Sequence, residues 1–385
     1  MRVIPMLQKT FVKLQIALKQ NVHLLVLIAA WFVINFIVLV TVVPDLQQDL
    51  LYLFFISTLG TPYGHFYFQY GQFVIFGLLI GLVTVDAFRN YDPKQTCKIL
   101  AKKLKNHAIV FGYDHLGIRL ADYLKKKHVP HVIVSRSHAD LSELYEKEMP
   151  AIVYNELDED FVAKVQMKRA KFVFLLEDDN VLNLKLAMLT KKSNPKAILA
   201  VRCFDDAFSK IFHVDFGASV ISSSFSSAKD IMANYIPAGT TGVAIIGFNH
   251  LAERVANGTL GLGIQTTIIE HEPAAVQSMQ EFASRLDSDR VMWLSVIEGK
   301  PLDFNVLQDA GVLNASVILI TMETNDVLLL AKYIREMNPD ATVIARTFSD
   351  EMGKVLEGFK CVALSTSANA LHSQLIPLLD GDRKS

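Results

Sequence analysis

Hydrophobic residues are unevenly distributed along this chain. Residues 22–43, VHLLVLIAAWFVINFIVLVTVV, contain no Lys, Arg, Asp or Glu, and a helix of that length crosses the roughly 30 Å hydrocarbon layer of a bilayer. A second apolar run, GQFVIFGLLIGLVTVDAF over 71–88, follows Phe66, Tyr67, Phe68 and Tyr70, which suit an interfacial aromatic belt. The pattern predicts a hairpin of two membrane-spanning helices over residues 1–90. Pro44, Asp45 and Leu46 after the first run offer no small-x-small cleavage site, which argues against a signal peptide. Beyond residue 106 the pattern changes. Short apolar runs alternate with stretches of helical period, as in parallel sheets joined by crossover helices.

Between the two runs, Leu50 to Ile56 is apolar but too short to cross, and its length suits a re-entrant or interfacial helix. Gly60, Thr61, Pro62, Tyr63 and Gly64 follow as a turn. Span, re-entrant helix, Gly/Thr-rich turn and span together resemble a potassium-channel pore hairpin, in which backbone carbonyls replace the ion's hydration shell. The resemblance makes Gly60 to Gly64 the selectivity filter. Tyr63 and Gly64 keep its register, whereas Pro62, with φ held near −65°, stands where a filter glycine takes positive φ. An ordinary outer loop between two anchors is the other reading. Gly77 and Gly81 form a G-x-x-x-G pair, which permits close helix packing and is also a candidate gating hinge.

After a Lys-rich connector at 91–106, one motif occurs twice. Ala108-Ile-Val-Phe111 leads into Gly112-Tyr-Asp114-His115-Leu-Gly117, and Val243-Ala-Ile-Ile246 leads into Gly247-Phe-Asn249-His250-Leu-Ala252, 135 positions on. Later, Asn194-Pro195 and Asn338-Pro339 each introduce a strand ending in arginine, Arg202 and Arg346. An internal duplication follows, with α/β Rossmann-like domains expected at 107–236 and 241–380. In such a unit, strand, glycine turn and helix present backbone amides to a phosphate. Here Asp114 and Asn249 replace the middle glycine and Ala252 the last one. Glu270 ends the second strand of the second copy, where an acid binds a ribose hydroxyl. Ser135 and Arg136 stand there in the first copy and suit a phosphate or no nucleotide. The candidate cofactor-binding set is therefore Gly112, Asp114, Gly117 and Arg136 with Gly247, Asn249, Ala252 and Glu270, and the candidate cofactor is NAD(H) or an adenine nucleotide. A Rossmann domain that keeps its shape without a ligand is the alternative.

Charge adds orientation. The chain carries 38 Lys and Arg against 39 Asp and Glu, and none of the 38 lies between the two apolar runs. Arg2, Lys9, Lys13 and Lys19 precede the first run and Arg89, Lys94 and Lys98 follow the second. Basic residues stay on the cytoplasmic side, so both termini are expected inside the cell membrane. The near-neutral balance gives no nucleic-acid signature. The acidic clusters Glu177, Asp178, Asp179 and Asp158, Glu159, Asp160 are solvated charge or candidate ligands for a divalent cation. Cys97, Cys203 and Cys361 are too far apart for a disulfide or zinc framework. No H-E-x-x-H, G-x-S-x-G or Cys/His nucleophile pattern is present, and an enzyme is not expected.

Taken together, these residues resemble the RCK family (regulators of K⁺ conductance, the TrkA-N type), in tandem beneath a two-span pore hairpin. The segments FVFLLEDDN at 172–180 and VILITMETN at 317–325, each leading into a helix and then Asn-Pro, follow that family's order. The family's Gly-Asp-Ala-Thr stretch is replaced by Tyr154-Asn-Glu-Leu157 and Gly299-Lys-Pro-Leu302. The resemblance implies a homotetramer in the bilayer, conducting a monovalent cation. A ring of eight cytosolic domains would respond to a small-molecule or ion ligand and open or close the pore. A non-conducting, membrane-anchored nucleotide sensor and a membrane-tethered NAD-dependent oxidoreductase are the competing functions.

Overall fold

The computed structural model describes residues 11–12, 22–42, 69–71, 73, 77, 81, 92–322, 324, 326–347 and 349–381. It divides into two compact units: Met1–Leu104 with Ser137–Val153 and Lys164–Gln166, and Lys105–Arg136 with Tyr154–Ala163 and Met167–Ser385. Two parallel six-stranded sheets carry the fold. The first holds β1 (His107–Phe111), β2 (His131–Ser135), β3 (Ala151–Val153), β4 (Ala170–Leu175), β5 (Ile198–Arg202) and β6 (Ser219–Ile221), in the order β3-β2-β1-β4-β5-β6. The second holds β7 (Gly242–Ile246), β8 (Gln265–Glu270), β9 (Leu294–Glu298), β10 (Val317–Ile320), β11 (Thr342–Arg346) and β12 (Val362–Leu364). Its order, β9-β8-β7-β10-β11-β12, is the first order repeated.

The strands form because their Val, Ile and Phe runs suit a surface covered on both faces. All five residues of β1 and all four of β10 are buried. Period-2 alternation then sorts the core of the second repeat. Val243 and Ile245 pack with Leu251 and Val255 on one face, while Ala244 and Ile246 pack with Leu330 and Ile334 on the other. The repeated Asn-Pro motif has a structural meaning. Asn194 Nδ2 donates to the carbonyls of Met167 and Ala170, at 3.0 and 2.8 Å, and Asn338 Nδ2 donates to those of Val312 and Ala315, at 2.9 and 3.0 Å. Each asparagine thus ties the loop before β5 or β11 to the loop before β4 or β10.

In the first unit, α1 (Val22–Val42) is a 21-residue helix, about 31 Å long at 1.5 Å per residue. Its buried amide is satisfied within the helix, Asn35 Nδ2 donating to the Trp31 carbonyl at 2.7 Å. Taken over the fully described residues alone, no helix is long and apolar enough to cross a membrane; several side chains of α1 lie outside them. The second expected span is helical at 71, 73, 77 and 81, and the rest of it lies outside the described residues, as do Gly60, Thr61, Pro62, Tyr63 and Gly64. Gly77 and Gly81 each leave open space where a Cβ would stand. The connector begins as α2 (Pro93–Lys102), with Asp92 capping Lys94 N at 2.9 Å and proline at the first helical position. Its buried face, Thr96, Cys97, Leu100 and Ala101, packs on β3 and on the short helix Ser142–Glu146.

The first repeat carries helices α3 (His115–Lys126), α4 (Asn180–Ser193), α5 (Asp206–Phe216) and α6 (Ser223–Asn234). Their counterparts are α7 (His250–Gly261), α8 (Asp326–Met337), α9 (Asp350–Gly358) and α10 (Thr366–Ala370). The repeats meet along α6, α7 and α10, with α3 against α10.

Candidate ligand site at the glycine turns and the seam between repeats

Both turns need glycine. Gly112 and Gly247 have φ of +88° and +92°, and a Cβ on either would lie 3.0–3.1 Å from the backbone that follows β4 or β10. Gly117 is needed for contact, since its Cβ would lie 2.2 Å from the Gly112 carbonyl oxygen. The second repeat accommodates a methyl group at the corresponding position, where Ala252 is fully buried.

The residue replacing the middle glycine occupies the helix N-terminus itself. Asp114 Oδ1 accepts from the amides of Leu116 and Gly117, both at 3.1 Å, while Oδ2 pairs with Arg202 Nη1. Asn249 Oδ1 accepts from Leu251 and Ala252 amides at 3.0 and 3.2 Å, and Nδ2 donates to the Thr321 carbonyl at 3.0 Å. These donors face a pyrophosphate in dinucleotide-binding folds. A bound dinucleotide does not fit the first turn, because the Asp114 carboxylate already holds the amides that a pyrophosphate would take. At the second turn the group on the α7 amides is the neutral Asn249 side chain, which a phosphate would have to displace.

Glu270 turns inward. Its side chain is 7% exposed. Oε2 accepts from the Phe248 amide at 2.7 Å, and Oε1 accepts from the amides of His271 and Glu272 at 2.6 and 2.9 Å. The carboxylate braces the turn against the loop after β8, so the ribose-binding role expected of it competes with three backbone donors. Arg136 reaches Glu177, Nη2 to Oε2 at 3.5 Å. Burial raises the Glu177 pKa, against the opposing pull of Arg136, with Asp114 and Asp178 adding to the rise.

The acidic clusters disperse into separate tasks. Asp178 lies 3.0 Å from Arg202. Asp179 caps α4, accepting from Val181 and Leu182 amides at 2.9 and 3.1 Å. Asp158 caps the helix Glu159–Lys164 through the Phe161 amide at 2.7 Å. Among the described residues no group of three or more His, Cys, Asp or Glu could hold a metal ion.

The seam between the repeats was not foreseen from the sequence. Arg119 of α3 reaches across to α9 and α10, Nη2 to Asp350 Oδ1 at 2.7 Å and Nε to Ser367 Oγ at 3.1 Å. Arg254 of α7 reaches back, Nη2 to the Phe204 carbonyl at 3.2 Å and to Asp206 Oδ1 at 3.8 Å. Arg119 and Arg254 are themselves 135 positions apart, a signal available from the duplication. Phe204 stacks on His250 with centroids 5.1 Å apart, and the Arg202 guanidinium lies 5.0 Å from the centroid of the Phe204 ring. Three cavities open along this seam, of about 170, 650 and 840 Å³. The 170 and 650 Å³ cavities share Phe204, Asn249 and His250.

The family model of the TrkA-N domain matches residues 108–224 and again 243–363. Potassium channel protein 1 of Methanocaldococcus jannaschii is 29% identical over 117 residues, which are 30% of this chain and 35% of that protein. Probable potassium channel protein 2 of the same organism is 22% identical over 131 residues, 33% of this chain and 38% of that protein. The chain thus spans little more than a third of the length of the curated relatives it matches. Among solved structures, the GsuK channel aligns over 96% of this chain and 100% of its own, with TM-score 0.70 and 14% identity. GsuK bound to ADP aligns over 96% and 100% at TM-score 0.67 and 16% identity, and the GsuK channel bound to NAD over 96% and 84% at 0.67 and 12%. At these identities the likeness is one of fold.

Proposed function

Because this chain belongs to the TrkA-N domain family and carries two copies of that domain in tandem, we propose that it is the pore-forming subunit of a ligand-gated cation channel. The observation that carries this reading is the order of parts: an uncharged 21-residue helix, a connector, and then the duplicated domain. Supporting it are the second apolar run at 71–88, the Gly60 to Gly64 turn between the runs, and the absence of Lys and Arg from the intervening loop. In this reading both termini face the cytoplasm, the two spans and the turn line the pore, and the permeant ion is a monovalent cation, K⁺ first.

Assembly as a homotetramer is supported by one apolar surface found in both repeats. Val181 and Met188 of α4 are exposed beside Ile211 and Val214 of α5, and Leu329 of α8 is exposed beside Val355 of α9. Exposed apolar side chains on neighbouring helices suit a protein contact. A ligand that prefers one shape of the ring shifts the pore by its differential affinity for the two shapes, and α2 is the segment through which the shift reaches the membrane. For the ligand, the ADP and NAD of the solved GsuK channels suggest an adenine nucleotide, and the neutral second turn is its better host. When bound there, the nucleotide would supply charge and a contact to both repeats. Asn249 and the α7 amides would orient its phosphate, and Asp114 would keep it from the first turn.

Flux of K⁺ and Na⁺ through the purified chain in liposomes, with and without ADP or NAD, tests the proposal. Saturable cation-selective flux lost in Tyr63→Ala is the expected result. Nucleotide binding without flux under any condition would replace the channel by the anchored sensor.

A further inference from the structure

The two arginines that end β5 and β11 stand at the same place in each repeat, and the pairing of Arg202 Nη1 with Asp114 leaves the rest of its guanidinium unexplained. They line one cavity. Arg202 and Arg346 meet there with Asn249, His250, Ser224 and Thr366 around a volume of about 170 Å³. This is a fraction of the roughly 300–1,000 Å³ of sites that enclose a whole drug-sized ligand. The wall is donor-rich. Ser224 and Thr366 are buried, 5% and 7% exposed, and belong to the first turns of α6 and α10, while Asn249 and His250 begin α7.

The geometry points to a phosphate-type oxyanion site between the repeats, held by Arg202 and Arg346. A guanidinium fork matches the tetrahedral oxyanion with paired N–H donors, and two forks approaching from two domains close around it. Arg202 is 14% exposed and its Nε is buried without a hydrogen-bond partner. Its Nη1 is shared between Asp114 and Asp178. The two carboxylates differ. Asp114 is also tied to the α3 amides, whereas the Asp178 side chain is 73% exposed and lines the same cavity. Asp178 is therefore the resident competitor, and the incoming oxyanion takes its place on Arg202. Because one arginine comes from each repeat, the bound anion cross-links them at the seam.

The oxyanion is free phosphate or the terminal phosphate of a nucleotide. The neighbouring 650 Å³ cavity, which shares Phe204, Asn249 and His250, has room for the nucleoside. The site stands independently of the pore, since it needs only the two repeats.

Isothermal titration of the full chain in detergent, in chloride buffer, with inorganic phosphate and separately with ADP tests it. Phosphate binding is expected to weaken at least tenfold in Arg346→Gln and to strengthen several-fold in Asp178→Asn, an exposed substitution that leaves the fold intact. Competition between phosphate and ADP would identify the nucleotide's phosphate as the occupant. Phosphate binding that leaves ADP affinity unchanged would identify the free anion. No binding of either ligand, or binding indifferent to both substitutions, overturns the site.

Discussion

Asp114 illustrates how one substitution in a glycine motif redirects a turn. A carboxylate in place of the middle glycine caps its own helix and pairs with Arg202, so the turn is closed by the protein's own anion. Asp114→Ala removes both the cap and the partner of a mostly buried guanidinium. It is expected to cost about 1.5–3 kcal/mol in urea unfolding, with Asp114→Asn losing less because the cap remains. His131 supplies a second test. Its ring lies 2.9 Å from the Val129 carbonyl, Nδ1 to O, and burial lowers its pKa below the ordinary 6.5. A depressed folded-state pKa contributes stability that is present above the unfolded value and lost as pH falls through the folded one. The urea midpoint should therefore fall as pH drops below about 6.5, and His131→Gln should flatten that part of the curve.

Among the elements, pairing of the repeats rests on matched arginines. Arg119 holds the Asp350 carboxyl below its usual range through a hydrogen bond and its charge. Asp350 is exposed, so the pair is worth at most about 1 kcal/mol; its effect is expected locally instead. Arg119→Ala should raise amide hydrogen exchange at the start of α9 and in α10, and Arg254→Ala at the start of α5, each leaving the other seam contact protected. Equal exchange in wild type and variants would remove these arginines from the seam. The strands themselves were legible beforehand, because uninterrupted Val/Ile runs mark strands buried on both faces. Glu270 was legible as an acid at a strand end but not in its role, since a carboxylate's partners are set by which backbone amides fold over it.

For the molecule as a whole, the exposed apolar faces of α4 and α5 predict assembly. Val214 is 67% exposed and Met188 57%. Val214→Asp with Met188→Lys should lower the mass measured by light scattering in detergent while leaving the helical circular dichroism unchanged; an unaltered mass would assign assembly to another surface. The arrangement of α2 over β3 also belongs to this scale. Asp92 and Pro93 announce the helix start in the sequence, but only the folded unit reveals that Cys97 and Leu100 face inward.

Periodicity and duplication determined the domain class, the repeat offset and the positions of the glycine turns, because these depend on the order of residues along the chain and on local backbone sterics. Tertiary structure decided what the polar residues do. Asp114, Asp178 and Arg202 are separated by up to 88 positions, yet share one ion-pair network at the carboxyl ends of adjacent strands. Arg202 and Arg346 come from different sheets and line one cavity. Side-chain reach across a seam depends on how two domains dock, and that docking is a sum of many small contacts with no period of its own. The sequence therefore marked where chemistry could occur, and packing chose which charges pair within the protein.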